Sequence, residues 1–430
     1  MDDLIAIGIM IGSIISFGAV IFILLYLSYR LRKRSFAPNT TDRLMGTIHR
    51  ALKSGVRTSV PWNGIAVLMS MIIYSLLPGI SYTLLIYSGV LNHIYGENFL
   101  PVNTTVPAQS SQNTHNEKIE KSTSSNSEQN DQSPDTNAST DENRFEIPTL
   151  KSHQMIAQAW ATIIACPFIL FMFYLSIQTF RNPYLPNNPL FKMTGFLDKI
   201  IVGLSSVFIA IPLCYICFFL ANYLFSLLFH QIPEEHPLTL IISNNHFLDK
   251  LLMFLNATIA APALEETLLR GLLLFWMTQK PSRKISYRYR ELIRPDQRHR
   301  YVLFIGFLLV FMQQSSYIQD WLVHQKSESF YRAILPILFM ALCFPIYWFI
   351  PKSKKVGRWL RIRSPQIGHA IIASALCFAS LHSTWPSPIP LFLLGLILGY
   401  ITVRTQHLLS AYLLHFLFNT FAVILLLIQN

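Results

Sequence analysis

Residues 250–277 read KLLMFLNATIAAPALEETLLRGLLLFWM. About 20 apolar residues, rising 1.5 Å each along a helix, cross a hydrocarbon core roughly 30 Å thick, and this stretch is long enough and apolar enough to do so. Yet Glu265, Glu266 and Arg270 lie in its interior. Ionisable groups at such depth cost about 2.5–3.5 kcal/mol each on insertion scales, so each needs a partner or a use. Glu266 and Arg270 are i and i+4 in the favourable acid-first order, so a helix stacks them on one face and Arg270 neutralises Glu266. Glu265 points about 100° away, at 3.6 residues per turn, and needs another partner or a water-filled cavity.

The rest of the chain has the same character. Over 430 residues it is 52% hydrophobic and 13% charged, with the apolar positions gathered into long runs, which is a membrane composition. Ten segments approach spanning length, near 4–29, 64–91, 155–180, 200–229, 250–277, 302–318, 330–350, 367–382, 388–404 and 407–428. The expected fold is therefore all-α, a polytopic transmembrane bundle of about ten helices. The first segment follows Met1-Asp2-Asp3 with neither a basic leader nor a small-residue cleavage site, and is read as a retained helix.

A net charge of +12 raises the question of nucleic acid, but the placement of the charges answers it. With the N-terminus outside and the segments alternating, 26 of the 34 Lys and Arg residues fall in cytoplasmic stretches and seven on the other side. That is the positive-inside pattern. The basic runs 283–300 and 352–363 then lie against anionic head groups, and no nucleic-acid partner is expected. The reading is a multi-pass integral membrane protein, with a bacterial plasma membrane favoured and the N-terminus and loop 92–150 extracytoplasmic.

Residues 92–150 depart from this composition: Ser, Thr, Asn, Gln, Asp and Glu dominate and no apolar period survives, so a disordered loop is expected. The chain divides accordingly into a two-helix membrane extension (1–91), the polar loop (92–150), a linking helix and loop (151–194) and a main domain (195–430). Gly8-x-x-x-Gly12 and Gly395-x-x-x-Gly399 have the spacing that lets helices approach closely. Pro78, Pro167 and Pro212 fall inside spans and are expected to kink them. All five cysteines lie in apolar segments; Cys214 and Cys217 have C-x-x-C spacing but no redox-fold context, and are read as packing residues.

Two further spans carry polar residues. The eighth holds Phe378-x-x-x-His382 and the tenth His415-x-x-x-Asn419, the latter pair sharing a face at i, i+4. Each alone has an ordinary structural explanation, such as a histidine bonded to a backbone carbonyl or an asparagine joining two helices. Together that explanation weakens, because buried charged pairs kept only for packing are replaceable by apolar residues at little cost. The set suits water activation. A carboxylate and a neutral imidazole can deprotonate a water, while an amide and a second histidine donate to an oxyanion. The same carboxylate and imidazoles, Glu265, His382 and His415, could instead hold Zn²⁺ with an open position for water. Segment ends place His382 at the outer end of its span and Glu265 and His415 nearer the cytoplasm, so a common site requires tilted or shortened helices or a shifted boundary.

In order and setting, Glu265-Glu266-x-x-x-Arg270, Phe378-x-x-x-His382 and His415-x-x-x-Asn419 resemble the three motifs of the CAAX-processing and bacteriocin-processing (CPBP) intramembrane proteases, which include type II CAAX prenyl endopeptidases and bacterial self-immunity proteins. The resemblance covers roughly 195–430. It implies an intramembrane endopeptidase, metal-dependent or not, in which Glu265 and His382 activate water, His415 and Asn419 stabilise the oxyanion, and Glu266 and Arg270 orient the first carboxylate. The implied substrate is a membrane-associated polypeptide or a prenylated CAAX-like peptide. Other intramembrane protease signatures are missing: there is no His-Glu-x-x-His and no Gly-x-Gly-Asp, and Gly203-Leu204-Ser205-Ser206, a partial match to Gly-x-Ser-Gly, is read as helix packing. A proton-coupled transporter is the alternative from another class, since intramembrane Glu, His and Arg also build relays, but no repeat relates the two halves. A non-catalytic immunity or scaffold protein that retains the motifs is the third reading.

Overall fold

The structure is a computed structural model that describes residues 62–95, 146–179, 196–229, 247–278, 297–324, 327–360, 362, 364–382 and 387–429. The expected first span, 4–29, and Gly8 and Gly12 lie outside them. Eleven helices are labelled in chain order: α1 Gly64–Tyr87, α2 Val90–Tyr95, α3 Glu146–Thr179, α4 Phe196–Phe229, α5 Phe247–Thr278, α6 Arg298–His324, α7 Ser327–Phe349, α8 Lys354–Trp359, α9 Pro365–Ser380, α10 Pro388–Thr405 and α11 Leu408–Gln429. No strand occurs among the described residues. An all-helical build is what a bilayer demands, because only a helix satisfies its own backbone polar groups in the absence of water.

Nine of the ten expected segments are helices. Seven are long and apolar enough to cross a membrane, and an eighth crosses if the two parts of α6, bent by 49° relative to each other, form one span. α9 is apolar but only 16 residues long, short of a full crossing. Of the stretch expected to be disordered, 92–95 and 146–150 are helical, because apolar residues at each edge continue the flanking helices, and 96–145 lies outside the described residues. Pro78, Pro167 and Pro212 each sit inside an unbroken helix. Leu, Ile and Phe side chains crowd the exposed outer faces of α1, α3 and α4, as lipid-facing surfaces require.

Two helices form the centre. α10 is the most enclosed span, and the second half of α5, Leu268 to Thr278, is buried throughout. Small residues make this packing possible: a Cβ at Gly395 would lie 2.9 Å from the Ala375 backbone of α9, and one at Gly399 3.2 Å from Ile371. The expected role of that glycine pair is therefore borne out in contacts. Gly203 does the same on α4, where an added Cβ would come within 2.9 Å of the Ser410 carbonyl of α11. All five cysteines are free.

α9 runs antiparallel to α5, in a register fixed by two hydrogen bonds. Gln366 Nε2 donates to the Met277 carbonyl (3.0 Å) and Ser374 Oγ to that of Leu269 (3.3 Å), eight residues on along each helix. Eight more residues along α9 bring His382 to the level of Ala261. α11 is antiparallel to α5 as well, with His415 beside Glu266 and Asn419 beside Ala257. The three motifs thus share one depth. The depth mismatch expected from segment ends disappears because this register sets the end of α9, just before His382, level with the middle of the long α5.

Candidate active site

The site begins with an irregularity in α5. Asn256–Ala260 and Glu266–Leu274 are wound as π-helix, with the single α-helical turn Ala261–Glu265 between them. Such segments are rare and recur at functional sites. The first has a local cause. The Ala261 N–H bonds the Asn256 carbonyl in i→i+5 register, so the next carbonyl, Ala257, would need the N–H of residue 262, which is proline and has none. Asn419 Nδ2 of α11 supplies the donor instead, 2.7 Å from the Ala257 oxygen. Asn419 is thereby fixed beside α5 with one amide hydrogen committed and the other left.

Glu266 and Arg270, both fully buried, pair through Oε1 and Nη1 at 3.0 Å. The expected i, i+4 pairing is present although the intervening turn is π-wound. His415 Nδ1 lies 2.9 Å from the same Glu266 oxygen. A carboxylate only accepts, so Nδ1 is the nitrogen that carries hydrogen and Nε2 is turned the other way. There Nε2 stands 3.8 Å from Oε2 of Glu265, too long for a hydrogen bond, and Glu265 is itself buried at the end of its α-helical turn. His415 therefore sits between the two glutamates, one on each ring nitrogen.

Phe378 ties the third motif to the other two. The Arg270 guanidinium lies over its ring at 4.4 Å, and the rings of His415 and His382 meet it edge-on at 5.4 and 5.2 Å. The phenylalanine is 0% exposed, which makes it the apolar wall against which three of the polar groups are positioned. His382, just past the end of α9, has Nδ1 3.0 Å from the Phe378 carbonyl. Since a carbonyl accepts, Nδ1 bears the hydrogen and Nε2 presents a lone pair.

All six expected side chains, Glu265, Glu266, Arg270, His382, His415 and Asn419, thus belong to one neighbourhood built by α5, α9 and α11. The motif phenylalanine was legible, but its place at the centre was not, nor was the Ala257 carbonyl as the Asn419 partner. Pro262, five residues beyond Ala257, was the available signal for the latter. The donor set has the right chemistry for Zn²⁺, but among the described residues no three of His, Cys, Asp or Glu come close enough together to hold a metal ion. His415 Nδ1 is committed to Glu266 and His382 Nδ1 to the Phe378 carbonyl, so each ring keeps Nε2, the nitrogen with which either histidine would have to hold a metal.

Residues 247–421 fit the family model described as type II CAAX prenyl endopeptidase Rce1-like. No curated protein and no solved structure matches.

Proposed function

We propose, from the premise that residues 247–421 are a type II CAAX prenyl endopeptidase domain of the Rce1-like, CPBP family, that this integral membrane protein hydrolyses a peptide bond of a membrane-associated polypeptide by activating water inside the bilayer. The observation that carries the reading is that Arg270, His382 and His415 meet on Phe378 while His415 lies between buried Glu265 and Glu266, with Asn419 one helical turn along from it. Relays in carriers use the same residue types, but a family of peptidases gives this set its chemistry.

The roles follow from which atoms are already committed. Glu266 accepts from both Arg270 and His415, so it is spent on structure and charge balance. Glu265 has a carboxylate oxygen directed at the gap in front of His415 Nε2. A water there can pass a proton to Glu265, with the His382 Nε2 lone pair as the second acceptor that orients it. The hydroxide oxygen adds to the scissile carbonyl carbon and the carbonyl electrons move onto its oxygen. His415 Nε2, when protonated, and the remaining Asn419 N–H then donate to that oxyanion. In that state Glu265 holds the water's proton, and the Glu266 carboxylate and the oxyanion balance the Arg270 guanidinium and the His415 imidazolium, so the cluster is neutral, which is the condition for keeping it in a low-dielectric interior. Collapse returns the proton to the leaving amine and breaks the C–N bond. No step is routed through a metal.

The substrate class proposed is a prenylated CAAX-like peptide or another lipid-anchored or membrane-lying polypeptide. The test is turnover in proteoliposomes of a farnesylated CAAX peptide, followed by mass spectrometry, with Glu265→Gln as the comparison. Positioned acid–base groups contribute roughly 10²–10⁴-fold, so Glu265→Gln should lose at least a hundredfold. Equal cleavage by both proteins would remove Glu265 from the chemistry.

A further inference from the structure

The apolar run of α6 is broken by four consecutive polar residues, Gln313-Gln314-Ser315-Ser316, and the 49° bend between Arg298–Met312 and Tyr317–Val323 falls on them. A glutamine amide in hydrocarbon needs a partner or a use, as the polar residues of α5 do. Gln314 is 1% exposed, and among the described residues none hydrogen-bonds to it. Its position follows from how α6 meets α9. The rings of His299 and His369 lie 4.8 Å apart, and a Cβ on Gly306 would lie 3.7 Å from the Cys377 backbone, so the two helices run parallel at an offset of about 70 residues. Gln314 is then level with the chain just past the end of α9, where His382 lies.

A helix that stops early leaves volume between its neighbours. At this level α6, α7 and the end of α9 enclose a cavity whose polar walls are Gln314, Ser380 and His382 and whose apolar walls include Val310, Phe339 and Met340. Its volume, about 10 Å³, is room for one water molecule. The polar groups suit that occupant. His382 Nδ1 is bonded to the Phe378 carbonyl, so Nε2 accepts; Ser380 Oγ donates to the Cys377 carbonyl at 2.7 Å, so its lone pairs accept; the Gln314 amide brings N–H donors. Two acceptors and a donor match the two hydrogens and a lone pair of water, and a buried water makes about three such bonds.

We propose that this cavity is the holding site for the water that hydrolysis consumes, with Gln314 as the positioning residue that retains it beside His382. Each peptide bond cleaved takes up one water molecule, and the hydrocarbon around the bundle supplies none. His382 borders the cavity and also meets the Phe378 ring, on which Arg270 and His415 converge, so a water held there is one side chain away from the reacting groups. The proposal rests on the peptidase reading for the use of the water but not for its presence.

The experiment uses the full chain in proteoliposomes with Gln314→Leu, which keeps most of the volume and deletes the amide, and Met312→Leu on the exposed side of the same helix as the control. The first readout is X-ray footprinting in isotope-labelled water, in which hydroxyl radicals formed from a bound water oxidise the side chain beside it. Met340 in the cavity wall should take up labelled oxygen, Met277, buried in α5 away from the cavity, should not, and Gln314→Leu should lose most of the Met340 label. Equal labelling of Met340 in wild type and Gln314→Leu would overturn the proposal. The second readout is turnover of the farnesylated CAAX peptide: Gln314→Leu should lower kcat about tenfold with KM and the melting temperature little changed, and Met312→Leu should alter none of these. An unchanged kcat in Gln314→Leu would overturn the proposal as well. If the wild type cleaves nothing while Met340 is labelled in a Gln314-dependent way, the water site stands and the peptidase reading alone falls.

Discussion

Replacing Arg270 by methionine should unfold a large part of the site, and the structure shows how much. Arg270 and Glu266 are 0% exposed, their side chains meet at 3.0 Å, and the guanidinium also covers the Phe378 ring at 4.4 Å. Methionine keeps most of the volume but leaves Glu266 with His415 as its remaining donor. Removing one partner of a buried pair costs about 3–5 kcal/mol, because the other charge stays behind uncompensated. The same reasoning makes a second, opposite prediction. Adding Glu266→Gln to Arg270→Met removes the orphaned charge and should recover about half of that loss, because an amide can still accept from His415 Nδ1. The assay is reversible unfolding in mixed micelles, followed by the fluorescence of tryptophans such as buried Trp62 and Trp276. A single variant within about 1 kcal/mol of wild type, or a double variant less stable than the single, would refute the argument that charge compensation holds this cluster together.

Four more outcomes follow from particular contacts. Pro262→Ala restores an N–H able to claim the Ala257 or Thr258 carbonyl, so it should compete with Asn419 and lower peptidase turnover about tenfold while leaving the melting temperature unchanged or higher; equal turnover would show that the Asn419 anchor is irrelevant to activity. Asn419→Leu leaves that carbonyl without a donor and should cost about 1–3 kcal/mol in the same unfolding assay. Gly203→Val should drive α4 from α11, since even a Cβ would lie 2.9 Å from the Ser410 carbonyl, at a cost of about 1–3 kcal/mol or more. His407, in the turn between α10 and α11, accepts the Leu409 N–H on Nδ1 at 3.0 Å, and burial, with the nearby Lys199 charge, lowers its pKa from 6.5 to about 4. The unfolded chain therefore binds the proton first, and stability should fall as pH drops from about 6.5 toward 4, by about 1–2 kcal/mol after solvent screening. His407→Asn, which retains a capping oxygen, should flatten that dependence.

The membrane architecture was legible because it rests on one-dimensional quantities. Length and apolarity of a run decide whether it can span, so nine described helices fall where the segments predicted them. The grouping of polar residues was legible for a related reason: Glu265, Glu266, Arg270, His382, His415 and Asn419 are costly in hydrocarbon, so their mere presence in apolar runs is a signal. Three-dimensional relations were not available that way. The short length of α9 was already in the segment limits 367–382, but its antiparallel register against α5, which brings His382 to the level of the glutamates, was not. Which ring nitrogen of His415 each glutamate faces, Nδ1 for Glu266 and Nε2 for Glu265, is set by packing between α5 and α11. The most distant contact, the approach of α1 to α5, is set by Trp62 and Gly64 meeting residues more than 200 positions away. Propensity and hydropathy are sums over neighbours in the chain, whereas these contacts come from side chains filling shared volume between helices, and only the packed structure specifies which faces meet.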